Sequence, residues 1–268
     1  WQDFYTKQLE RVKANSVIHY HANIHKALKY AVKLDLISSN PADKIERPKK
    51  ERFMANFYDA DEVNRLFEIS KGTKLEIPIL FGAFYGMRRS ETLGMKWDAI
   101  DFERDTITIR HTLTTVALDG KRITVAEDRT KNKSSMRTLP LVPFVKERLL
   151  ELKAEQEENR RLCGRSYVKD YTGYVCINEI GDIIKPNYVS CGFPKLLEEH
   201  GLRRVRYHDL RHSCASLLLA NGVPMKQIQE WLGHSDFSTT ANIYAHLDCS
   251  SKLTSADAML NGLGFAAN

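Results

Sequence analysis

The stretch from Tyr207 to His246, YHDLRHSCASLLLANGVPMKQIQEWLGHSDFSTTANIYAH, constrains this chain more than any other. Leu210, Cys214, Leu217 and Leu218 recur at helical spacing and predict one buried face. His208 and Arg211 sit one helical turn apart, so they point the same way from another face. Asn221-Gly222 supplies a stop, and Pro224 suits the opening of a second helix. That helix carries its own stripe, Met225, Ile228, Trp231 and Leu232, and ends at Gly233. His234 follows directly and Tyr244 lies a short way on. Several cationic donors and one weak nucleophile, gathered by packed helices, suit a phosphodiester better than a carbonyl.

The ordered set H-x-x-R (His208, Arg211), L-G-H (Leu232, Gly233, His234) and a tyrosine ten residues later (Tyr244) resembles the C-terminal signature of the tyrosine recombinases, the phage-type integrases. The set is specific because its members come from separate elements; H-x-x-R alone is weak. Taken singly, the parts have plainer readings. A helix pair can bind DNA without catalysis, and a tyrosine after a helix usually packs. The resemblance requires one more arginine and a lysine upstream.

Composition agrees with a nucleic-acid partner without dictating it. The 268 residues are 43% hydrophobic and 28% charged, with a formal charge of +6. Lys121, Arg122, Arg129, Lys131, Lys133 and Arg137 crowd one segment, and Arg203, Arg204, Arg206 and Arg211 another, and two such clusters favour a polyanion. The five cysteines form no CxxC pair, which argues for reduced thiols in a cytosolic protein and against a disulfide framework or a zinc site. Cys214, in the apolar stripe, reads as a small hydrophobe. No apolar run reaches membrane-spanning length, and the chain opens on Trp1, neither a methionine nor a signal peptide, as a piece of a longer or processed protein does.

Along the chain, Val17, Tyr20, Ile24, Ala27, Leu28, Ala31 and Leu34 recur near a helical period up to the break at Asn40-Pro41. The polar stretch 39–53, with two prolines, reads as an interdomain linker. The helical piece resembles the last part of an integrase core-binding domain. The resemblance implies a division into a partial helical core-binding domain (1–47), a linker (48–56) and a catalytic domain with a C-terminal tail (57–268). The implied fold is mainly α with a small antiparallel three-stranded sheet.

Asp59-Ala-Asp-Glu62 is a capping-box signal, and Ile77–Tyr85 an apolar helical run ending at Gly86. GMRRSETLGMKW then resembles the family's G-L-R-x-S-E box, which implies Arg88 as the first catalytic arginine, Arg89 as a variable neighbour and Glu91 as a structural carboxylate. Thr106–Arg110 and Thr112–Val116, a turn at Asp119-Gly120, a return strand at Ile123 and Val125, and Met136–Leu139 after TKNKSS compose the expected sheet. The pattern K-x-x-S-x-x-R-x-x-P fits from Lys131 through Ser134 and Arg137 to Pro140, which implies Lys131 as the family's turn lysine, with Lys133 as competitor. A helix at 143–161 turns Val145, Leu149, Leu150 and Leu152 to the core; 174–177 suits a short strand, 186–200 a helix, and 252–260 a last short helix. In the family such a tail often packs into a neighbouring protomer, and it suits packing at home equally well.

The chemistry follows from the residue types. A phenol has a pKa near 10, so Tyr244 needs its anion stabilised or its proton removed. Arg88 and Arg211 match the non-bridging oxygens of a phosphodiester with paired, permanently charged donors. His208 and His234 add hydrogen bonds or shuttle a proton, and Lys131 protonates the departing 5′-oxygen. The resemblance implies a site-specific recombinase working through a 3′-phosphotyrosyl intermediate, with no cofactor, no metal and no ATP. Its implied partners are double-stranded recombination sites, a homo-oligomer of two to four copies on DNA, and accessory DNA-bending or directionality proteins, with no membrane. Integrases of conjugative transposons and temperate phages are the most similar group, and the implied setting is the nucleoid of a bacterial cytoplasm. The alternatives are a non-catalytic helix-turn-helix regulator, or a resolvase or type IB topoisomerase relative.

Overall fold

The computed structural model describes residues 1–49, 56–119, 121–127 and 136–233. The chain divides into two compact units, Trp1–Met54 and Ala55–Asn268. Among the described residues no helix is long and apolar enough to cross a membrane.

The first unit contains helices α1 (Gln2–Leu9) and α2 (Ala14–Lys33). Tyr5 and Val17 are its buried anchors, and the Tyr5 hydroxyl lies 3.2 Å from His21 Nδ1. The rest of the expected apolar stripe is only partly covered: Tyr20 and Leu34 are exposed. A small unit has too little surface to wrap every face of a long helix. Residues 41–44, which lie in the polar stretch 39–53 and within the implied helical domain 1–47, form a 3₁₀ turn that packs on α2. The Asn40 side chain accepts from Ala42 N–H at 2.9 Å and donates to the His25 carbonyl at 3.2 Å, and Ala42 is buried.

The second unit opens where the sequence signals it. Helix α3 (Ala60–Ser70) has Asp59 as N-cap, its carboxylate accepting Glu62 N–H at 2.9 Å while Glu62 accepts Asp59 N–H at 3.0 Å. Such a cap contributes about 1 kcal/mol. Helix α4 (Glu76–Phe84) is apolar all round and buries Ile77, Ile79, Leu80, Phe81 and Ala83, so it runs through the core. Each of the isoleucine, leucine and phenylalanine side chains contributes about 1.5–3 kcal/mol relative to exposure. The short helix α5 (Arg89–Leu93) follows.

The expected small antiparallel three-stranded sheet is present in a mainly helical fold, but its strands are not all the expected ones. Strands β1 (Ile100–Asp101), β2 (Thr106–Ile109) and β5 (Arg137–Pro140) form an antiparallel sheet in the order β1-β2-β5, with Ile107 opposite Leu139 and Ile109 opposite Arg137. Strands β3 (Thr112–Leu118) and β4 (Lys121–Glu127) form a separate hairpin. The break falls at Arg110-His111, where Arg110 turns its guanidinium to the Asp98 carbonyl and carboxylate. The strand β1 is too short to show alternation, and Tyr174 and Ile177 make single bridges, to Lys96 and Ile183, rather than a strand.

Helix α6 (Pro143–Cys163) buries Val145 and Leu149, while Leu150, expected in the core, is exposed. It lies about 120° round the helix from the midline of Val145 and Leu149, since each residue turns about 100°. Helices α7 (Pro186–Glu199), α8 (Asp209–Ala220) and α9 (Met225–Leu232) complete the unit, and α8 packs against both α4 and α9. The four cysteines among the described residues are unbridged, and Cys214 is buried against the Phe84 carbonyl.

Candidate active site

The site is assembled where α4 ends, α8 begins and α9 stops. After Phe84 the chain turns at Gly86, whose φ of +62° lies in the left-handed region. A Cβ there would stand 2.3 Å from Leu232 Cδ2, so the turn presses directly on α9. Arg88 follows as the extended N-cap residue of α5, which throws its side chain off the helix start. Glu91, in the first turn of α5, accepts Arg88 N–H at 3.0 Å and Arg88 Nη1 at 2.6 Å. The expected reading of Glu91 as a carboxylate that holds an arginine corresponds to these bonds.

Glu91 holds a second arginine as well. Arg137 Nη2 donates to its Oε2 at 3.1 Å, while Arg137 Nε donates to the Trp231 carbonyl at 2.7 Å. Arg211, in the first turn of α8, donates from Nη1 to the Gly86 carbonyl and from Nη2 to the Leu232 carbonyl, both at 2.6 Å. Arg88 Nη2 reaches the Gly233 carbonyl at 3.3 Å. Three guanidiniums thus meet three successive carbonyls at the end of α9, which carry the partial negative charge of a helix C-terminus. Gly233 closes that helix in the left-handed conformation, with φ of +67°.

The electrostatics follow from burial. Glu91 is 2% exposed at its side chain, yet its pKa is lowered: desolvation opposes ionisation, and Arg137, Arg88 and Arg211 outweigh it. Arg211 is 2% exposed, and desolvation with the neighbouring Arg88 and Arg137 brings it down to about 9, still a cation at neutral pH. Three cations against one carboxylate leave the cluster positive, and Arg88, with 35% of its side chain open, faces solvent. Such a cluster is suited to an anion that arrives from outside.

His208 precedes α8 as its N-cap residue, and its ring meets that of His212 edge-on at 5.5 Å. Partial burial, then His212 and Arg211, push it below the ordinary imidazole range, although the residue keeps an exposed face. It is therefore neutral at pH 7 and can accept a proton or a hydrogen bond. Asp209 beside it is held by Arg206, which donates from Nη2 at 2.7 Å and from its backbone N–H at 2.8 Å.

Of the sequence-predicted site residues, Arg88, His208 and Arg211 are described, and the two arginines share the neighbourhood of Glu91. Lys131, its competitor Lys133, His234 and Tyr244 lie outside the described residues. Arg89 is separate from the cluster: it is exposed and donates to Ser190 Oγ on α7. The expected basic cluster at 203–211 is not one patch, because Arg203 pairs with Glu62, Arg206 with Asp209, and Arg211 is buried. The sequence places Arg137 in a basic segment and in the lysine motif, and neither gives it a role in the site. The signal that exposes its role is strand alternation: Arg137 and Leu139 are buried while Met136 and Thr138 face out.

The phage integrase family matches residues 56–250. A tyrosine recombinase XerC-like protein of Caldanaerobacter subterraneus subsp. tengcongensis is 32% identical over 98% of this chain and 70% of its own length. The tyrosine recombinase XerC of Pediococcus pentosaceus is 30% identical over 82% of this chain and 67% of its own. In fold, the chain is similar to the Tn1549 transposon integrase in complex with a circular intermediate DNA, with a TM-score of 0.75 at 19% identity over 96% of this chain and 84% of that one. It is also similar to a lambda integrase dimer bound to a COC′ core site, with a TM-score of 0.62 at 16% identity over 90% and 77%. An arginine cluster of this construction, in a mainly helical fold shared with those integrases and a sequence matched along most of its length, leads to one family: the chain belongs to the phage integrases, and it is a tyrosine recombinase, an enzyme of site-specific DNA recombination.

Proposed function

We propose that the enzyme cleaves and rejoins duplex DNA with Tyr244 as nucleophile and Arg88 and Arg211 as the arginines that organise the scissile phosphate. The observation that carries this reading is the convergence of Arg88 and Arg211 on the Glu91 carboxylate region and the end of α9. The phenolate oxygen of Tyr244 attacks phosphorus, and the bond to the 5′-oxygen breaks. Lys131 delivers a proton to that oxygen, which leaves as a 5′-hydroxyl. The charge gathered on the non-bridging oxygens is matched by the guanidiniums of Arg88 and Arg211. His208 and His234 share hydrogen bonding and proton movement at the phosphate. The ester retains the energy of the broken bond, so a 5′-hydroxyl of another duplex reverses the step and restores a continuous strand.

The wider reading has copies of the chain acting together on two DNA sites, as the lambda integrase dimer on its core site suggests. Residues 1–47 serve as part of a DNA-gripping core-binding domain, 48–56 as a linker and 57–268 as the catalytic domain with its tail. The likeness to the Tn1549 integrase favours a role in moving a genetic element within the bacterial cytoplasm. The decisive experiment incubates the protein with a suicide DNA substrate, one whose cleaved end diffuses away, and looks for a covalent adduct by denaturing electrophoresis. Wild type should form the adduct and Tyr244→Phe should not, with DNA affinity nearly unchanged because phosphate contacts dominate it. An adduct that persists in Tyr244→Phe overturns the assignment. DNA binding without any wild-type adduct turns the reading to a non-catalytic regulator.

A further inference from the structure

The mechanism above uses Arg88 and Arg211 but gives no task to the third guanidinium of the cluster. Arg137 is 9% exposed, and it sits on β5 at an inward position between the sheet and α9. Taking a guanidinium out of water is costly, and an apolar side chain of similar volume would serve packing at least as well. It donates to two different elements, to Glu91 on α5 and to the Trp231 carbonyl on α9. The same carboxylate oxygen, Glu91 Oε2, also accepts the backbone N–H of Arg88, while Oε1 takes Arg88 Nη1. Six residues before Arg137 in the sequence lies Lys131.

We propose that Arg137 is a positioning residue of the cleavage site, a clamp that fixes Glu91 and the end of α9 in one register so that Arg88 is held at the phosphate. This rests on the recombinase reading given above. The planar fork is what the task needs: its Nε and Nη2 reach two acceptors at once, on two elements. A lysine at this place offers one ammonium, which can meet Glu91 or the Trp231 carbonyl but does not bridge them in a fixed plane. In this role Arg137 acts through Arg88. Its loss would take one donor from Glu91 Oε2 and one from the Trp231 carbonyl together, loosening both supports on which Arg88 rests.

The test is single-turnover cleavage of a suicide DNA substrate by the full chain at saturating protein, with rates normalised to the folded fraction from urea titration. Arg137→Met should cleave about a hundredfold more slowly, as displacement of a catalytic group by about 1 Å can do. Its DNA affinity should stay within about threefold, since phosphate contacts elsewhere set it. Arg137→Lys should recover part of the rate, to about a tenfold loss, because it keeps one charge-assisted bond of the two. In a Glu91→Gln background the further loss on Arg137→Met should shrink to about threefold or less, because residues in one network do not contribute additively. A wild-type rate in Arg137→Met overturns the proposal, and so do equal losses for the lysine and methionine variants that add in full to Glu91→Gln. If Arg137→Met does not fold, the lysine variant and its cycle with Glu91→Gln decide, a wild-type rate again overturning it. Absence of any adduct from the unaltered protein would instead overturn the Tyr244 reading.

Discussion

Two sets of arginines in this molecule invite comparison. Arg203 and Arg206 are near neighbours in the sequence, yet each is occupied separately, Arg203 with Glu62 and the Phe57 carbonyl, Arg206 with Asp209. Arg88, Arg137 and Arg211 are far apart in the sequence, yet they meet around Glu91 and three carbonyls of one helix end. The first set is solvent-facing, with side chains 41% and 61% exposed. The second is nearly closed, apart from Arg88. Charge density along a sequence is therefore a poor guide to charge density in space. What distinguishes the second set is burial, which makes every donor costly to leave unpaired and every position strongly determined.

The largest expected effect comes from removing the carboxylate that the second set shares. Glu91→Gln should destabilise the protein by about 3–5 kcal/mol in urea unfolding, because breaking a buried ionic network leaves guanidiniums uncompensated. An effect below about 1 kcal/mol, the range of a surface pair, would remove the distinction between the two sets. The same residue sets a pH dependence. Its folded pKa is depressed from the ordinary 4.5, so its stabilising contribution is present above that value and is lost as pH falls through the lower folded pKa. Urea midpoints measured from pH 6 downward should fall less steeply below about pH 4.5 in Glu91→Gln than in wild type.

Next in size is the contrast between the two adjacent arginines of the α5 start. Arg88→Lys keeps charge and loses the fork, and should slow single-turnover cleavage of a nicked DNA substrate by roughly a hundred- to a thousandfold. Arg89→Lys, at an exposed residue bonded to Ser190, should change the rate by about threefold or less, the usual consequence of a surface substitution. Equal losses would place the phosphate between them and undo the assignment of Arg88.

The smallest effect belongs to the exposed set. Arg203→Ala should cost about 1 kcal/mol of stability, since its pair with Glu62 is solvent-screened and its stacking over Tyr58 is modest. A loss as large as that of Glu91→Gln would mean that this outer set is as determined as the inner one.

The sequence by itself determined whatever local chemistry dictates. The cap at Asp59, the stop at Gly233 and the apolar stripe of α4 depend on hydrogen bonds and burial patterns spanning a few residues, and each is legible from a few residues. Family motifs added Arg88, His208 and Arg211, though composition alone could not choose Arg88 over Arg89. Tertiary structure decided the rest. It built the expected three-stranded sheet from β1-β2-β5 and left β3 and β4 as a separate hairpin, because strand partners are chosen by packing across long separations. It folded 41–44, in the polar stretch, into a packed turn, and moved Leu150 from core to surface. It also gave Arg137 its partners Glu91 and the Trp231 carbonyl, since only a folded chain brings β5, α5 and the carbonyls of α9 within hydrogen-bond reach of one guanidinium.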